Sequence, residues 1–354
     1  MKTFNEKRKV KKEINIGDIT IGGKNDIAIQ SMTNTDTRDL NATVNQIARL
    51  KDAGCDIVRI SVFDNDCVSN IPLIKKAVEV PLVADIHYNH ILAIESIKAG
   101  IDKIRINPGN ITDKNDIKAI INTAKEYKVP IRIGVNTGSL PEHLYDMYNG
   151  PTSEAVLHAV KDQVDMFLNY DFDNIVIAAK SVDAMQTVEI YRKLNEAFDF
   201  PLHTGVTEAG SYIKGTIKST VALSILLDEG ISDTIRISLT DDPVKEVTVA
   251  KDILKFTGIK EYGVNIISCP TCGRTKIDII KIASIIEERT KHIKKNIVIA
   301  VMGCAVNGIN EAKYADIGIA GGDGKAVLFK KGKRLRTIPE DRIIEELLIE
   351  IEKC

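Results

Sequence analysis

The chain has 354 residues, 44% of them apolar, and carries 48 Lys plus Arg against 49 Asp plus Glu. That length suits two domains rather than one, and the near-zero net charge excludes a global field that would recruit nucleic acid or anionic lipid. No apolar run reaches the roughly 18 residues of a membrane span. No apolar segment follows the Lys-rich start, Met1 to Lys12, so that start is expected to be a solvated, frayed arm rather than a signal peptide, and the protein to be cytoplasmic.

Residues 1–25 read as an N-terminal extension. Within it, Glu13–Gly23 alternates around Gly17-Asp18 and predicts a hairpin that plugs the floor of the domain that follows. From 26 to 258 a β-branched run followed by a segment with helical spacing repeats eight times. The predicted strands are Asp26–Thr33, Asp56–Val62, Pro81–His87, Lys103–Asn107, Pro130–Asn136, Asn174–Ser181, Pro201–Thr207 and Thr234–Leu239. The predicted helices are Ala42–Ala53, Asp66–Glu79, His90–Ala99, Lys114–Lys128, Ser153–Tyr170, Ala184–Ala197, Ser211–Asp228 and Pro243–Phe256. The strands are apolar nearly throughout, as in a sheet covered on both faces. Eight such alternations predict an α/β fold, a closed (β/α)8 TIM-type barrel. Gly54, Gly100 and Gly230 each stand where a helix would end before a strand.

Chemistry in such a barrel gathers at the C-terminal strand ends. There, an Arg flanked by β-branched residues occurs four times, as Arg59, Arg105, Arg132 and Arg236, and the sixth strand ends on Lys180. Strand alternation puts Asn107 on the face of Arg105 and Ser238 on the face of Arg236. A single buried Arg is most simply explained by a partner carboxylate. Five cations outnumber the mouth carboxylates Asp85 and Glu208, so a polyanion is expected, a phosphate or a diphosphate. The loop Gly134–Gly138, which contains Asn136, could add backbone N–H donors. Glu208, His87 and His203 are the proton-transfer candidates, and Glu208 is favoured because a carboxyl amid cations has little structural purpose.

From 259 to 354 the rhythm changes to a compact α+β domain. Its expected elements are strands Val264–Ser268 and Asn296–Val301, helix Ile277–Lys291, a hairpin of Ala326–Phe329 and Arg334–Ile338, and a final helix Glu340–Lys353. Gly318–Lys325 fails the spacing of a phosphate-binding loop and reads as a Gly-rich turn before the hairpin. Cys269 and Cys272 form a C-x2-C at one strand end, and Cys304 follows at another. Three thiolates so placed point to a metal. A closed zinc site wants four ligands, and no second C-x2-C is present; Cys354 is expected at a frayed terminus and His292 in solvent. Three thiolates with one replaceable site suit a [4Fe–4S] cluster, with Glu311 available as an oxygen ligand. Cys55 and Cys67 read as small apolar or surface residues. Two other readings stand beside this one: a zinc-stabilised barrel lyase or transferase acting on a phosphorylated small molecule, and, more remotely, a C-x2-C nucleic-acid binder.

Several motifs together resemble the bacterial 4-hydroxy-3-methylbut-2-enyl diphosphate synthases of the non-mevalonate isoprenoid pathway. They are Val58-Arg59-Ile60-Ser61, Ala84–Asn89, Ile104–Asn110, Ile131–Ser139, Gly205–Gly210, Cys269–Arg274 and Met302–Ala312. The resemblance implies reductive ring opening and dehydroxylation of 2-C-methyl-D-erythritol 2,4-cyclodiphosphate, with two electrons from flavodoxin or ferredoxin passing through a [4Fe–4S] cluster. It implies a homodimer with an active site shared between chains, and no nucleic-acid or membrane partner. By position it assigns Arg59, Arg105, Arg132, Asn136, Lys180, Arg236 and Ser238 to substrate contacts, beside which Asp85, His87, Asn107 and His203 are also expected. It assigns Glu208 to acid–base work and Cys269, Cys272, Cys304 and Glu311 to the cluster. One departure is visible: Ile309-Asn310 stand where the family usually has Pro-Gly.

Overall fold

A computed structural model describes residues 3–107, 110–111, 113–305 and 308–354. The chain divides into two units, Met1–Ile259 and Lys260–Cys354. No helix among the described residues is long and apolar enough to cross a membrane.

The first unit opens with helix α1 (Phe4–Lys7) and a hairpin, β1 (Ile14–Ile16) and β2 (Ile19–Ile21), paired antiparallel. Then come β3 (Ala28–Met32), α2 (Leu40–Ala53), β4 (Ile57–Ser61), α3 (Asn65–Ala77), β5 (Leu82–Ile86), α4 (His90–Lys98), β6 (Lys103–Ile106), α5 (Lys114–Tyr127) and β7 (Ile131–Asn136). The series continues with α6 (Glu142–Met147), α7 (Ser153–Asn169), β8 (Ile175–Lys180), α8 (Ala184–Ala197), β9 (His203–Thr204), α9 (Tyr212–Asp228), β10 (Thr234–Ile235) and α10 (Pro243–Phe256). The eight parallel strands run in the order β8-β7-β6-β5-β4-β3-β10-β9. A parallel bridge from Ile177 to Leu202 joins β8 to β9 and closes the ring. Ile14, Ile16 and Ile21 of the hairpin pack against Ala28, Ile57, Val83 and Val176, so the hairpin fills one end of the barrel interior.

The helices begin with side-chain caps at the mouth. Asp39, Asp64, Asn89, Asp113, Asp183 and Asp242 each accept a backbone N–H at the start of α2, α3, α4, α5, α8 and α10. Such caps contribute about 1 kcal/mol each. They also commit five rim carboxylates to helix starts.

Three expectations for this unit are corrected. The Lys-rich start is not a frayed arm, because Arg8 is buried and paired with Asp233 at 2.5 Å, and Lys9 and Lys11 donate to the carbonyl of Phe198; Met1 and Lys2 lie outside the described residues. Strands β9 and β10 are much shorter than expected. Beyond Thr204 the chain leaves the ladder at Gly205, where a Cβ would meet the Arg236 carbonyl oxygen at 2.2 Å. Helix α6, after Pro141, carries no strong apolar periodicity and was not expected.

The second unit holds β11 (Val264–Ser268), α11 (Ile279–Thr290), β12 (Ile297–Met302), α12 (Gly308–Glu311), β13 (Ile317–Gly322), β14 (Lys325–Lys330), β15 (Lys333–Pro339) and α13 (Ile343–Glu352). Its sheet runs β11-β12-β13-β14-β15, with the first three parallel and the last two antiparallel. Gly318–Lys325 were expected as a Gly-rich turn, but Ile317–Gly322 form the central strand, β13. Their glycines serve close packing: a Cβ at Gly318 would lie 2.5 Å from the Phe329 ring, and one at Gly321 would lie 2.6 Å from the Gly303 carbonyl. Cys354 is not frayed either. It is half-buried against the apolar core of this unit, and its thiol donates to the Glu350 carbonyl at 3.3 Å.

Candidate functional site

The barrel interior above the hairpin is lined by cations. Arg59, Arg105, Arg132 and Lys180 are each under a tenth exposed, on β4, β6, β7 and β8. Arg105 and Arg132 are direct register partners, and Asp85 neighbours Arg105 on the other side. Gly134 makes room for this layer, since a Cβ there would stand 2.7 Å from Arg105 Nε.

Asp85 serves three of these groups. Arg105 donates to it at 3.1 Å, Arg59 Nε approaches at 3.7 Å, and His87 Nε2 lies at 3.4 Å. Burial alone would push this carboxyl up, but Arg59, His87 and Arg105 outweigh it and hold it well below the usual carboxylate range. Arg59 also donates to Met32 Sδ, a weak acceptor, at 2.9 Å.

Arg132 is different. Burial first, and then Arg59 and Arg105, push its guanidinium well down, yet a guanidinium stays protonated in proteins. Its Nε and Nη2 have no hydrogen-bond partner among the described residues, and neither does the buried Nε of half-buried Arg236. A second interior carboxylate, Glu246, was not foreseen. It sits on α10, accepts from Ser31 Oγ at 2.8 Å and from the Leu239 amide at 2.9 Å, and so is spent on neutral donors. The net result is a walled cluster of positive charge with spare N–H donors, which an anion with several oxygens would satisfy.

The remaining barrel residues divide. Asn107 Nδ2 donates to Ser139 Oγ at 3.2 Å, which ties the end of β6 to the loop after β7. The motif around Asn107 continues through Pro108 and Gly109, which lie outside the described residues. Asn136 ends β7 and Ser238 lies three residues past the short β10, both half-buried. Glu208 is exposed and holds φ at 49°, a left-handed backbone that costs a non-glycine residue about 1 kcal/mol and tends to occur at functional sites. His203 does not belong to the mouth. It is fully buried, and neither ring nitrogen has a partner. Burial first, and then the cations Arg132 and Lys180, push its imidazole well below the ordinary value. A strand-end His looks the same in sequence whether it faces solvent or the layer beneath.

In the second unit, Cys269 follows β11 and Cys304 follows β12. The Gly303 amide donates to Cys269 Sγ at 3.2 Å. The 269–276 loop folds onto the same residue through Lys276 N to Gly303 O at 2.9 Å. A Cβ on Gly303 would crowd Thr275 at 3.0 Å, so glycine permits that closure. Cys272 is exposed, and its thiol is pulled down chiefly by the Arg274 backbone N–H, which favours the thiolate that metals require. All three are free. Among the described residues no three His, Cys, Asp or Glu side chains converge closely enough to share one ion. A four-iron cluster places its thiolates on separate corners and needs no such convergence, so the soft, N–H-supported donors fit it. Glu311 ends α12, which packs on β12 at Met302, where a Cβ on Gly308 would approach to 2.7 Å. Val306 and Asn307, earlier in that motif, lie outside the described residues. Cys55 and Cys67 are buried in the barrel unit, and burial pushes the Cys55 thiol up to about 12.

The chain matches two family models, the GcpE TIM-barrel domain over residues 11–251 and the GcpE protein C-terminal domain over residues 265–353. It is 51% identical to a 4-hydroxy-3-methylbut-2-en-1-yl diphosphate synthase (flavodoxin) of Ruminiclostridium cellulolyticum, over 98% of each chain. It is 53% identical to the enzyme of that name from Caldanaerobacter subterraneus, again over 98% of each. Among solved structures, a dihydropteroate synthase from Stenotrophomonas maltophilia resembles it with a TM-score of 0.51 and 14% identity, covering 69% of this chain and 96% of that one. That likeness concerns the barrel fold alone.

Proposed function

This chain belongs to the GcpE family, and from that premise we propose how its side chains divide the work of a 4-hydroxy-3-methylbut-2-enyl diphosphate synthase. The reaction is the reductive ring opening and dehydroxylation of 2-C-methyl-D-erythritol 2,4-cyclodiphosphate. The single observation that carries the assignment to this barrel is the surplus of buried guanidinium donors, above all Arg132. Arg59, Arg105, Arg132, Lys180 and Arg236 hold the diphosphate oxygens. Asp85 keeps Arg59 and Arg105 aimed, with His87 on its outer side. Asn107, Asn136 and Ser238 orient the ligand from the strand ends. Because the cations are fixed before binding, the charge that develops on the freed diphosphate arm meets donors already in place.

Residues 26–258 serve as the substrate domain and 259–354 as the cluster domain. Cys269, Cys272 and Cys304 hold a [4Fe–4S] cluster, and Glu311 is its oxygen ligand. When bound, that cluster supplies electrons and a Lewis-acidic iron. Glu208, held at the rim on a strained backbone, moves the proton. The electron donor is flavodoxin, with ferredoxin as the alternative. The working form is a cytoplasmic homodimer whose active site draws on both chains. No observation favours the zinc lyase reading.

Anaerobic turnover tests the division of labour. Reduced flavodoxin and the cyclic diphosphate should give the linear diphosphate alcohol. Glu208→Gln should lose kcat while still binding substrate. Normal kcat in that variant would remove Glu208 from the chemistry.

A further inference from the structure

Beneath the arginine layer lies a second polar layer that the proposed reaction does not use. Lys103 opens β6 and is fully buried. Among the described residues its Nζ makes a single hydrogen bond, to Gln30 Oε1 on β3 at 3.2 Å. The Gln30 amide nitrogen and both ring nitrogens of His203 on β9 are buried without partners among the described residues. Among the described residues the charged groups above it are mostly cations, Arg59 on β4, Arg105 on β6, Arg132 on β7, Lys180 on β8 and Arg236 after β10, with two carboxylates, Asp85 on β5 and Glu246 on α10. Asp85 is already engaged by Arg59, Arg105 and His87. Glu246 is bonded to Ser31 and Leu239, and Asp233 is bonded to Arg8. Below, the hairpin presents Ile14, Ile16 and Ile21.

We propose that Lys103 is an uncharged amine in the substrate-free protein and takes up a proton when a polyanion occupies the arginine layer above it, so that diphosphate binding is coupled to proton uptake. The inference rests on the diphosphate reading of the barrel. A buried ammonium with one amide oxygen for company and guanidinium groups for neighbours is the less stable form. Burial first, and then Arg132 and Arg59, push this amine well below its ordinary value. A bound diphosphate reverses the sign of the local field. The proton comes from solvent and goes to Lys103 Nζ, and the barrel gains one more positive charge only when there is an anion to hold. The chemistry of the ligand makes this readable. In a cyclic diphosphate each phosphorus carries one ionisable oxygen, so the ligand lacks the second ionisation near pH ~6 of a phosphate monoester.

The test is calorimetric titration of the cluster-loaded enzyme with the cyclic diphosphate. It is done anaerobically without reductant, at neutral pH, in buffers of different ionisation enthalpy. The wild type should take up about one proton more per ligand bound than Lys103→Met. Lys103→Arg, which stays charged, should also lack that proton. Because Lys103→Arg keeps a long polar side chain, it decides the matter if Lys103→Met does not fold. Equal uptake in the wild type and the variants overturns the proposal, as does a wild type that binds with no uptake. A wild type that gives no binding heat in any buffer fails the diphosphate reading instead.

Discussion

Replacing Arg132 with Met separates a cation kept for a ligand from a cation kept for the fold. Arg132 is 2% exposed, and two of its nitrogens have no partner among the described residues. Its removal therefore strands no carboxylate. An apolar side chain of similar length relieves an uncompensated buried charge, and by analogy with buried charges replaced by apolar isosteres the free protein should gain about 1–4 kcal/mol. At this size each kcal/mol raises Tm by about 2–4 °C. Binding should move the other way. Each hydrogen bond to a charged group contributes about 1.5–3 kcal/mol, so loss of the two open donors should weaken the cyclic diphosphate by roughly 10²–10⁴-fold. Calorimetric unfolding without ligand and titration with ligand read the two effects separately. A variant that unfolds at lower temperature while binding normally would refute the reasoning, because Arg132 would then be held by the protein itself.

Arg8→Met is the counterpart. Its partner Asp233 is also buried, at 2.5 Å, so this variant should lose about 3–5 kcal/mol in chemical denaturation, and an unchanged midpoint would contradict the ion-pair account. Gly134→Ala places a Cβ 2.7 Å from Arg105 Nε, should displace that guanidinium from Asp85, and should weaken ligand binding by about tenfold with little change in fold by circular dichroism. Asp85 has a folded-state value depressed below its unfolded one, so its stabilisation is present above the unfolded value of ~3.9 and lost as pH falls through the folded value. The stability gap between the wild type and Asp85→Asn should therefore be level from neutral pH down to about 5 and shrink below about 4. A gap that widens in acid would reverse the sign.

Much of the barrel was legible because its elements carry strong local signals. The eight apolar runs and the glycines after α2, α4 and α9 each constrain the backbone independently of what packs on it. The positive φ of 99°, 90° and 76° at Gly54, Gly100 and Gly230 is what such punctuation requires. Where the reading failed, the decisive contact was distant in sequence. Residues 317–322 carry glycines that resemble turn residues, and only the Phe329 ring and the Gly303 carbonyl explain them. Arg8 looked like part of a basic tail because its partner lies 225 residues away. The cationic layer was visible from strand alternation, whereas the spending of Glu246 on Ser31 and Leu239 depends on how α10 packs on the barrel, and the depth of His203 on where β9 sits in it. The three cysteines were legible as a pattern, since the C-x2-C of Cys269 and Cys272 follows β11 and Cys304 follows β12, neighbouring strands of one sheet.

The central claim is that this chain joins an anion-binding barrel to a domain whose three thiolates carry an iron–sulfur cluster. Metal analysis and the visible spectrum of anaerobically purified protein test it most directly. About four irons and four sulfides per chain with broad visible absorption are expected, lost in Cys272→Ala and retained in Cys55→Ala. A colourless wild-type protein with stoichiometric zinc, or a cluster that survives Cys272→Ala and not Cys55→Ala, would contradict the account.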